Sequence, residues 1–305
     1  MVYLRYYVPF PFLGLFLTIR SYIAGRARGI LTLSNSPCSE ITAPTSPFVF
    51  AQVVFDKDGT LGDCMPALRA WCSEMTKAVR RRCDDTDGIS AAHADRIVSD
   101  FHSSIGWNST SNDLLPSAPL SSRTWAEVVD ISATGLRDSG LDGVDRDEVL
   151  RWHRDLGLVD AEDPPLIDDM AGLFEHIRRL GILISICTSD DRASTDACMT
   201  RWNVRHLVDF SICGDEVDAR GGGKPSPGPL WELCRLAGGI SPRECMVVGD
   251  TTSDAEMGQR SGAGFVVGVL TGSGTAEQLI RSGADIVLPD VGYLRYLFLP
   301  QFCLR

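Results

Sequence analysis

The stretch Phe48-Val49-Phe50-Ala51-Gln52-Val53-Val54-Phe55-Asp56-Lys57-Asp58-Gly59-Thr60 decides how the rest of the chain is read. Its first eight residues are apolar except Gln52 and rich in β-branched and aromatic side chains, the pattern of a strand buried on both faces. Gly59 then signals a turn. Asp56 and Asp58 thus stand two residues apart at the carboxyl end of a central strand. There one carboxylate can act as a nucleophile while the other moves a proton.

Beyond residue 160 an alternating pattern follows. Strands are predicted at 182–187, 210–212, 245–248, 265–269 and 286–288, separated by helices near 170–180, 192–202, 230–237, 254–261 and 275–282. Strands alternating with single helices at this spacing predict a parallel sheet covered on both faces, a three-layer Rossmann-like α/β core. Groups that do chemistry should collect at the carboxyl ends of its strands. Between 64 and 160 strand signals are few, and helices are expected at 66–82, 89–105, 124–137 and 145–156, with a Ser/Asn/Pro-rich loop at 109–122. The expected organisation is an N-terminal extension at 1–46, a core built from 47–62 and 162–305, and a smaller all-helical domain inserted at 63–161.

Bulk properties narrow the function classes. The 305 residues are 44% hydrophobic and 23% charged, ordinary for a globular protein. A formal charge of -11 argues against nucleic-acid binding, since a phosphate backbone rewards a positive surface. The ten cysteines form no CxxC pair and several lie in apolar runs, which suits buried free thiols in a reducing compartment. Residues 1–46 carry Arg5, Arg20, Arg26 and Arg28 against one acid, Glu40. Their apolar stretch, 8–19, is broken by Pro9 and Pro11 and falls short of the roughly 20 residues a spanning helix needs, so no stable transmembrane insertion is expected. Such a leader suits a mitochondrial-type transit peptide, with a short secretory signal, an interfacial anchor or a plain extension as alternatives, and the expected location is cytoplasmic or mitochondrial.

Three more polar motifs follow predicted strands or the loops between them. Thr188 follows 182–187, Lys224 sits in a Gly/Pro-rich loop, and Asp250 with Asp254 follows 245–248. Each alone is a commonplace turn or cap; four on one sheet are hard to ascribe to accident. With Phe55-Asp56-Lys57-Asp58-Gly59-Thr60-Leu61, Lys224-Pro225-Ser226-Pro227 and Gly249-Asp250-Thr251-Thr252-Ser253-Asp254, the chain resembles the haloacid dehalogenase-like phosphatases over about residues 48–300. The segment Gly268-Val269-Leu270-Thr271-Gly272-Ser273-Gly274 and the helical insert are similar to the phosphoglycolate-phosphatase subgroup, whose insert is a mobile cap.

The resemblance implies a Mg²⁺-dependent phosphomonoesterase acting on a small phosphorylated metabolite, phosphoglycolate being the best single guess. Asp56 would be the nucleophile that becomes an aspartyl-phosphate, and Asp58 the acid for the leaving alkoxide and then the base for water. Dehalogenases of the superfamily have no acid at the Asp58 position, so its presence favours phosphate chemistry. Asp56, the backbone carbonyl of Asp58 and Asp250 are the implied Mg²⁺ ligands, with Asp254 a fourth contact or a partner of the lysine. Lys224, Thr188 and Ser189 would hold phosphoryl oxygens, although the family often has Asn where Ser189 stands. Lys57 departs from the usual apolar residue and, pointing away from Asp56, is assigned no catalytic role. Gly62 is read as a permissive hinge, and Asp63 either guides hinge closure, contacts substrate or caps the next helix. Lys77, Arg80, Arg81, Arg82, His102, Arg123 and Arg137 are the insert's candidates for reading the leaving group. The four tryptophans 71, 107, 125 and 152 are read as insert core. A phosphomutase, a phosphonatase using Lys77, or a silent binding protein with the same fold are the alternatives.

Overall fold

Strand β1 (Gln52–Phe55) is buried along its whole length, as its apolar run requires. Its one polar side chain is satisfied inside: the Gln52 amide donates to Ser185 Oγ and accepts from the Cys245 thiol at 3.5 Å. The computed structural model describes residues 50–156, 163–217 and 222–298. The leader at 1–46, with Cys38, and Cys303 lie outside them. Residues Phe50–Gly292 form one unit; of a second, made of the two chain ends, the described part holds the short helix Leu294–Leu297.

After β1 the chain runs through α1 (Met65–Asp84), α2 (Ala91–Ile105), the two-residue strands β2 (Trp107–Asn108) and β3 (Asp113–Leu114), α3 (Pro119–Ser122), α4 (Trp125–Asp138) and α5 (Arg146–Asp155). It returns as α6 (Met170–Arg179), β4 (Leu183–Cys187), α7 (Arg192–Arg201), β5 (Phe210–Ile212), α8 (Gly228–Leu236), β6 (Cys245–Gly249), α9 (Thr252–Ser261), β7 (Phe265–Val269), α10 (Ala276–Arg281) and β8 (Ile286–Leu288). The six core strands form one sheet in the order β5-β4-β1-β6-β7-β8, every neighbouring pair parallel. Phe55 stands opposite Ile186 on one side and Val248 on the other. The carboxyl ends of β1, β4 and β6 therefore lie side by side, and this register brings their polar sequels together.

The insert has its own core. Leu68, Trp71, Met75 and Val79 repeat at helical spacing along α1 and pack with Ile97, Phe101 and Ile105 of α2 and Val128, Val129 and Leu136 of α4. Each fully buried side chain of this kind contributes about 1.5–3 kcal/mol. Local signals fix the helix ends: Ser90 accepts from His93 N, Thr124 and Glu127 form a reciprocal capping box, and Asp145 accepts from Glu148 N. The insert is helical as expected, with one addition. The 109–122 loop carries β3, paired with β2, and the single-turn α3, elements too short to show a period in sequence.

Two strands of chain join core and insert and bond each other, Asp63 N to Pro164 O and Leu166 N to Leu61 O, both at 2.8 Å. Gly62 at this crossing has a packing reason beside the hinge freedom expected of it. A Cβ there would collide with the Trp202 ring, so glycine answers a packing demand. Asp63 accepts from Met65 N at 3.0 Å, close to its expected capping role. No helix among the described residues is long and apolar enough to cross a membrane. The eight described cysteines are free thiols, all buried but Cys64.

Candidate active site

Asp56 is the first residue past β1, and its backbone N–H still bonds Val248 O of β6 at 2.9 Å, which holds it in line with the strand. Its carboxylate accepts from Lys224 Nζ at 2.6 Å. Lys224 also donates to Asp254 at 2.7 Å, so one ammonium joins two acids from different strand ends. Burial works against its charge, but Asp254 and Asp56 outweigh it and hold the lysine well above its ordinary pKa. Asp254 spends its other oxygen on the N–H and hydroxyl of Thr251, inside the cap of its own helix α9. Of the two sequence expectations for Asp254, the lysine contact is direct, and its place beside Asp56 and Asp250 supports the metal contact as well.

Asp250 follows β6 and is wrapped on all sides. The Thr60 hydroxyl lies 3.1 Å from it and 3.4 Å from Asp56, and Ser273 N–H donates to it at 2.9 Å. The turn after β7 explains its glycines: a Cβ at Gly272 would collide with the Asp250 carboxylate, and one at Gly274 with its carbonyl. Gly59, at φ +76°, brings the β1 turn against the same carboxylate.

Asp56, Asp250 and Asp254 each offer a carboxylate oxygen, and the three lie within 4.8 Å of one another, all buried. Lys224 alone does not balance them. Burial raises the Asp56 carboxyl above its ordinary range despite Lys224, and burial with the Asp56 and Asp254 charges raises Asp250 well above it. Hard oxygen donors with surplus negative charge fit a small divalent cation such as Mg²⁺. The side chain of Asp58 stands apart from this cluster, turned to Lys57.

One consequence is measurable. Acids with raised pKa in the folded state hold protons that the unfolded chain releases, so the metal-free protein loses stability as pH rises through their range. Mg²⁺ at about a hundred times its Kd should stabilise the fold by about 2.7 kcal/mol. The gain in melting temperature should grow as pH rises through the raised range of Asp56 and Asp250. Thermal melts with Mg²⁺ against matched KCl test this; identical melts would remove the metal assignment.

Asp58 is about a quarter exposed, 27%, and Lys57 Nζ touches it at 2.5 Å. Desolvation pushes the Asp58 carboxyl up to about 7 against the pull of Lys57, so it keeps a proton to share near neutrality. Lys57 itself is 1% exposed and bonds Asp190 at 2.9 Å. Thr188, buried at the end of β4, accepts from Asp190 N at 3.1 Å, leaving its own hydroxyl proton to donate. Ser189, expected beside Thr188 on a phosphoryl oxygen, directs its hydroxyl to the carbonyl of Ser122 in the insert at 3.4 Å.

A cavity of about 250 Å³ opens on the Asp58 side. Lys57, Asp58 and Asp190 line it from the core, with Arg123, Trp125, His153 and Arg154 from the insert. Of the insert residues singled out in sequence, Arg123 reaches this wall. Lys77, Arg80 and Arg82 pair with Glu74, Asp95 and Glu148, and His102 is buried against Thr76. Trp71 and Trp107 are core, whereas Trp125 is only partly buried and donates to Asp190 at 2.9 Å. Asp190 and Asp191, which by sequence either polarise the mouth of the site or cap the helix that follows, both line this cavity, and Asp191 also caps that helix. Sequence reasoning passed over His153, and it gave Lys57 no catalytic role although a lysine stands there where an apolar residue is usual.

Comparison with known proteins agrees with this geometry. Residues 51–262 match the family profile described as haloacid dehalogenase-like hydrolase. The phosphoglycolate phosphatase of Escherichia coli (strain K12) is 24% identical over 251 residues, covering 79% of this chain and 90% of the relative. Among solved structures, a predicted phosphoglycolate phosphatase from Haemophilus somnus 129pt superposes with a TM-score of 0.58 at 16% identity, over 82% of this chain and 98% of that one. CbbY from Rhodobacter sphaeroides, in complex with phosphate, gives 0.55 at 18% identity over 82% and 100%.

Proposed function

Because the chain belongs to the haloacid dehalogenase-like hydrolases, we infer that it is a Mg²⁺-dependent phosphomonoesterase working through a phosphoryl group carried on Asp56. The observation that carries this reading is the pairing of a lysine-held carboxylate, Asp56, with a second carboxyl, Asp58, that has a separate environment. Two acids whose surroundings set them apart divide naturally into nucleophile and acid–base. A Mg²⁺ bound by Asp56, Asp250 and Asp254 would supply positive charge against a phosphate dianion.

The steps follow from the residues present. An Asp56 oxygen attacks phosphorus, the phosphorus–oxygen bond to the alcohol breaks, and Asp58 gives its proton to the departing oxygen. Asp58, now ionised, takes a proton from water as that water attacks the phosphoryl group, which releases phosphate and restores Asp56. Lys224 holds Asp56 in place, and the Thr188 hydroxyl stands ready as a donor to a phosphoryl oxygen.

For the substrate, the reading is a small phosphorylated acid of the phosphoglycolate type. Supporting it are the names borne by the relatives, a cavity sized for a small leaving group, and Arg123 and Arg154 in its wall. The phosphonatase alternative needs an insert lysine at the site; Lys77 is instead exposed on α1, 2.5 Å from Glu74 and outside the cavity wall. Phosphate release measured with Mg²⁺ over a panel of phosphorylated metabolites should show 2-phosphoglycolate among the best substrates by kcat/KM. Preference for a neutral sugar phosphate by more than about tenfold, or 1.4 kcal/mol of transition-state binding, would overturn the substrate class. No release from folded protein would overturn the activity.

A further inference from the structure

Lys57 is one of three lysines in the chain and, like Lys224, it is buried within the site, yet the mechanism above gives it nothing to do. Its ammonium lies between two carboxylates, Asp58 at 2.5 Å and Asp190 at 2.9 Å. Among the described residues it is the one side-chain partner of the Asp58 carboxyl. Asp190 uses its other oxygen to accept from the Trp125 indole N–H at 2.9 Å. Trp125 belongs to the insert, at the start of α4. It is fixed there by the Thr124–Glu127 capping box and by ring contacts to His153 at 4.7 Å and Trp71 at 5.5 Å. An unbroken chain of polar contacts thus runs from a rigid point of the insert to the acid–base carboxyl of the core.

The same stretch of the insert touches the core elsewhere. Ser121 meets Ser273 at 2.9 Å, Ser189 donates to Ser122 O, and Gln278 donates to Ser117 at 3.3 Å. Those contacts fasten the insert down; none of them reaches Asp58. A buried ammonium between two acids has few orientations that satisfy both. Where Asp190 is held from the insert, Lys57 is held, and with it Asp58.

We propose that Lys57 is a positioning residue that sets the Asp58 carboxyl for proton transfer only when Trp125 of the insert engages Asp190, so that the acid–base step is coupled to closure of the insert over the core. The proposal rests on the phosphomonoesterase reading. In the coupled step the phosphorus–oxygen bond to the alcohol breaks as the Asp56–phosphorus bond forms, and the Asp58 proton passes to the alcohol oxygen. A misplaced Asp58 would therefore hurt substrates whose leaving oxygen needs that proton.

The test compares p-nitrophenyl phosphate, whose phenolate departs without a proton, with 2-phosphoglycolate, whose alkoxide does not, both with Mg²⁺. The kcat/KM value reports the steps up to loss of the alcohol. In Lys57→Met it should fall about 10- to 100-fold for the alkyl ester and less than about threefold for the aryl ester. Trp125→Phe, which keeps the ring and removes the N–H, should lose about 3- to 10-fold on the alkyl ester alone. The double variant should be no worse than Lys57→Met, because both act through one chain. Equal losses on both esters would make Lys57 merely structural and overturn the proposal. Losses that multiply in the double variant would do the same, since Trp125 would then act on substrate independently. If Lys57→Met fails to fold, Trp125→Phe with its melting curve decides by the ester comparison. Wild type that hydrolyses neither ester would instead defeat the phosphomonoesterase reading, a distinct outcome.

Discussion

Asp56→Asn is expected to slow Mg²⁺-dependent phosphate release by at least about 10³-fold while leaving the fold as stable as before. Asparagine keeps the shape of the side chain, and its carbonyl oxygen can still accept from Lys224, which donates to Asp56 at 2.6 Å. What it loses is the charge, and with it the nucleophile. Burial and the Asp254 charge work against an ionised Asp56 while Lys224 favours it, and in the variant Lys224 keeps Asp254 as its counter-charge, so the metal-free protein should keep its stability. A loss of activity with no loss of melting temperature separates a chemical role from a structural one. Mass spectrometry of the quenched reaction should find a phosphoryl group on the peptide containing residue 56 in the wild type and none in the variant. A variant as fast as the wild type would overturn the assignment.

Lys224→Met should remove activity and stability together. Lys224 is buried between Asp56 and Asp254, and taking away the cation leaves two buried acids facing each other. Breaking a buried pair in this way costs about 3–5 kcal/mol. The sign of the pH dependence follows. Without the ammonium the largest offset to the burial that already raises the Asp56 carboxyl is gone, so the folded variant holds a proton that the unfolded chain gives up. Its deficit is then largest at neutral and alkaline pH and shrinks as pH falls through the raised carboxyl range. Urea unfolding in the presence of a chelator, at about pH 8 and about pH 5, measures it. A variant as stable as the wild type at the higher pH would show that Lys224 does not hold this pair. Addition of Mg²⁺ should recover part of the loss, since a cation on the same acids replaces some of the missing charge.

Much of this site was legible in the chain. Strand β1 announced itself by an apolar run, and a parallel sheet sends every strand's carboxyl end to one edge, so Asp56, Asp250 and the residues after β4 had to converge. The Lys224 loop could be placed near them by its stiffness and its position after β5. Other features could not be read. The pair β2–β3 and helix α3 are too short to carry a period. At Gly62 the sequence shows a missing side chain but not the Trp202 ring that requires its absence. At Ser189 the sequence shows a hydroxyl near the site but not the carbonyl of Ser122 that it meets, 67 residues away in the chain.

Lys57 marks the boundary most clearly. Strand alternation showed that it leaves the Asp56 side, which amounts to a direction and no more. Whether a lysine on that side meets solvent, a surface acid or a buried one depends on what the fold packs there. The fold packs Asp190 from the end of β4, and the insert packs Trp125 on Asp190. The sequence by itself determined the α/β core, the helical insert and the ring of acids with their lysine, because periodicity and strand-end position are local properties of a chain. Only the tertiary structure decided which acid each lysine holds and which part of the insert reaches them. Those pairings join residues 65 and 168 positions apart, and no local pattern records such a distance.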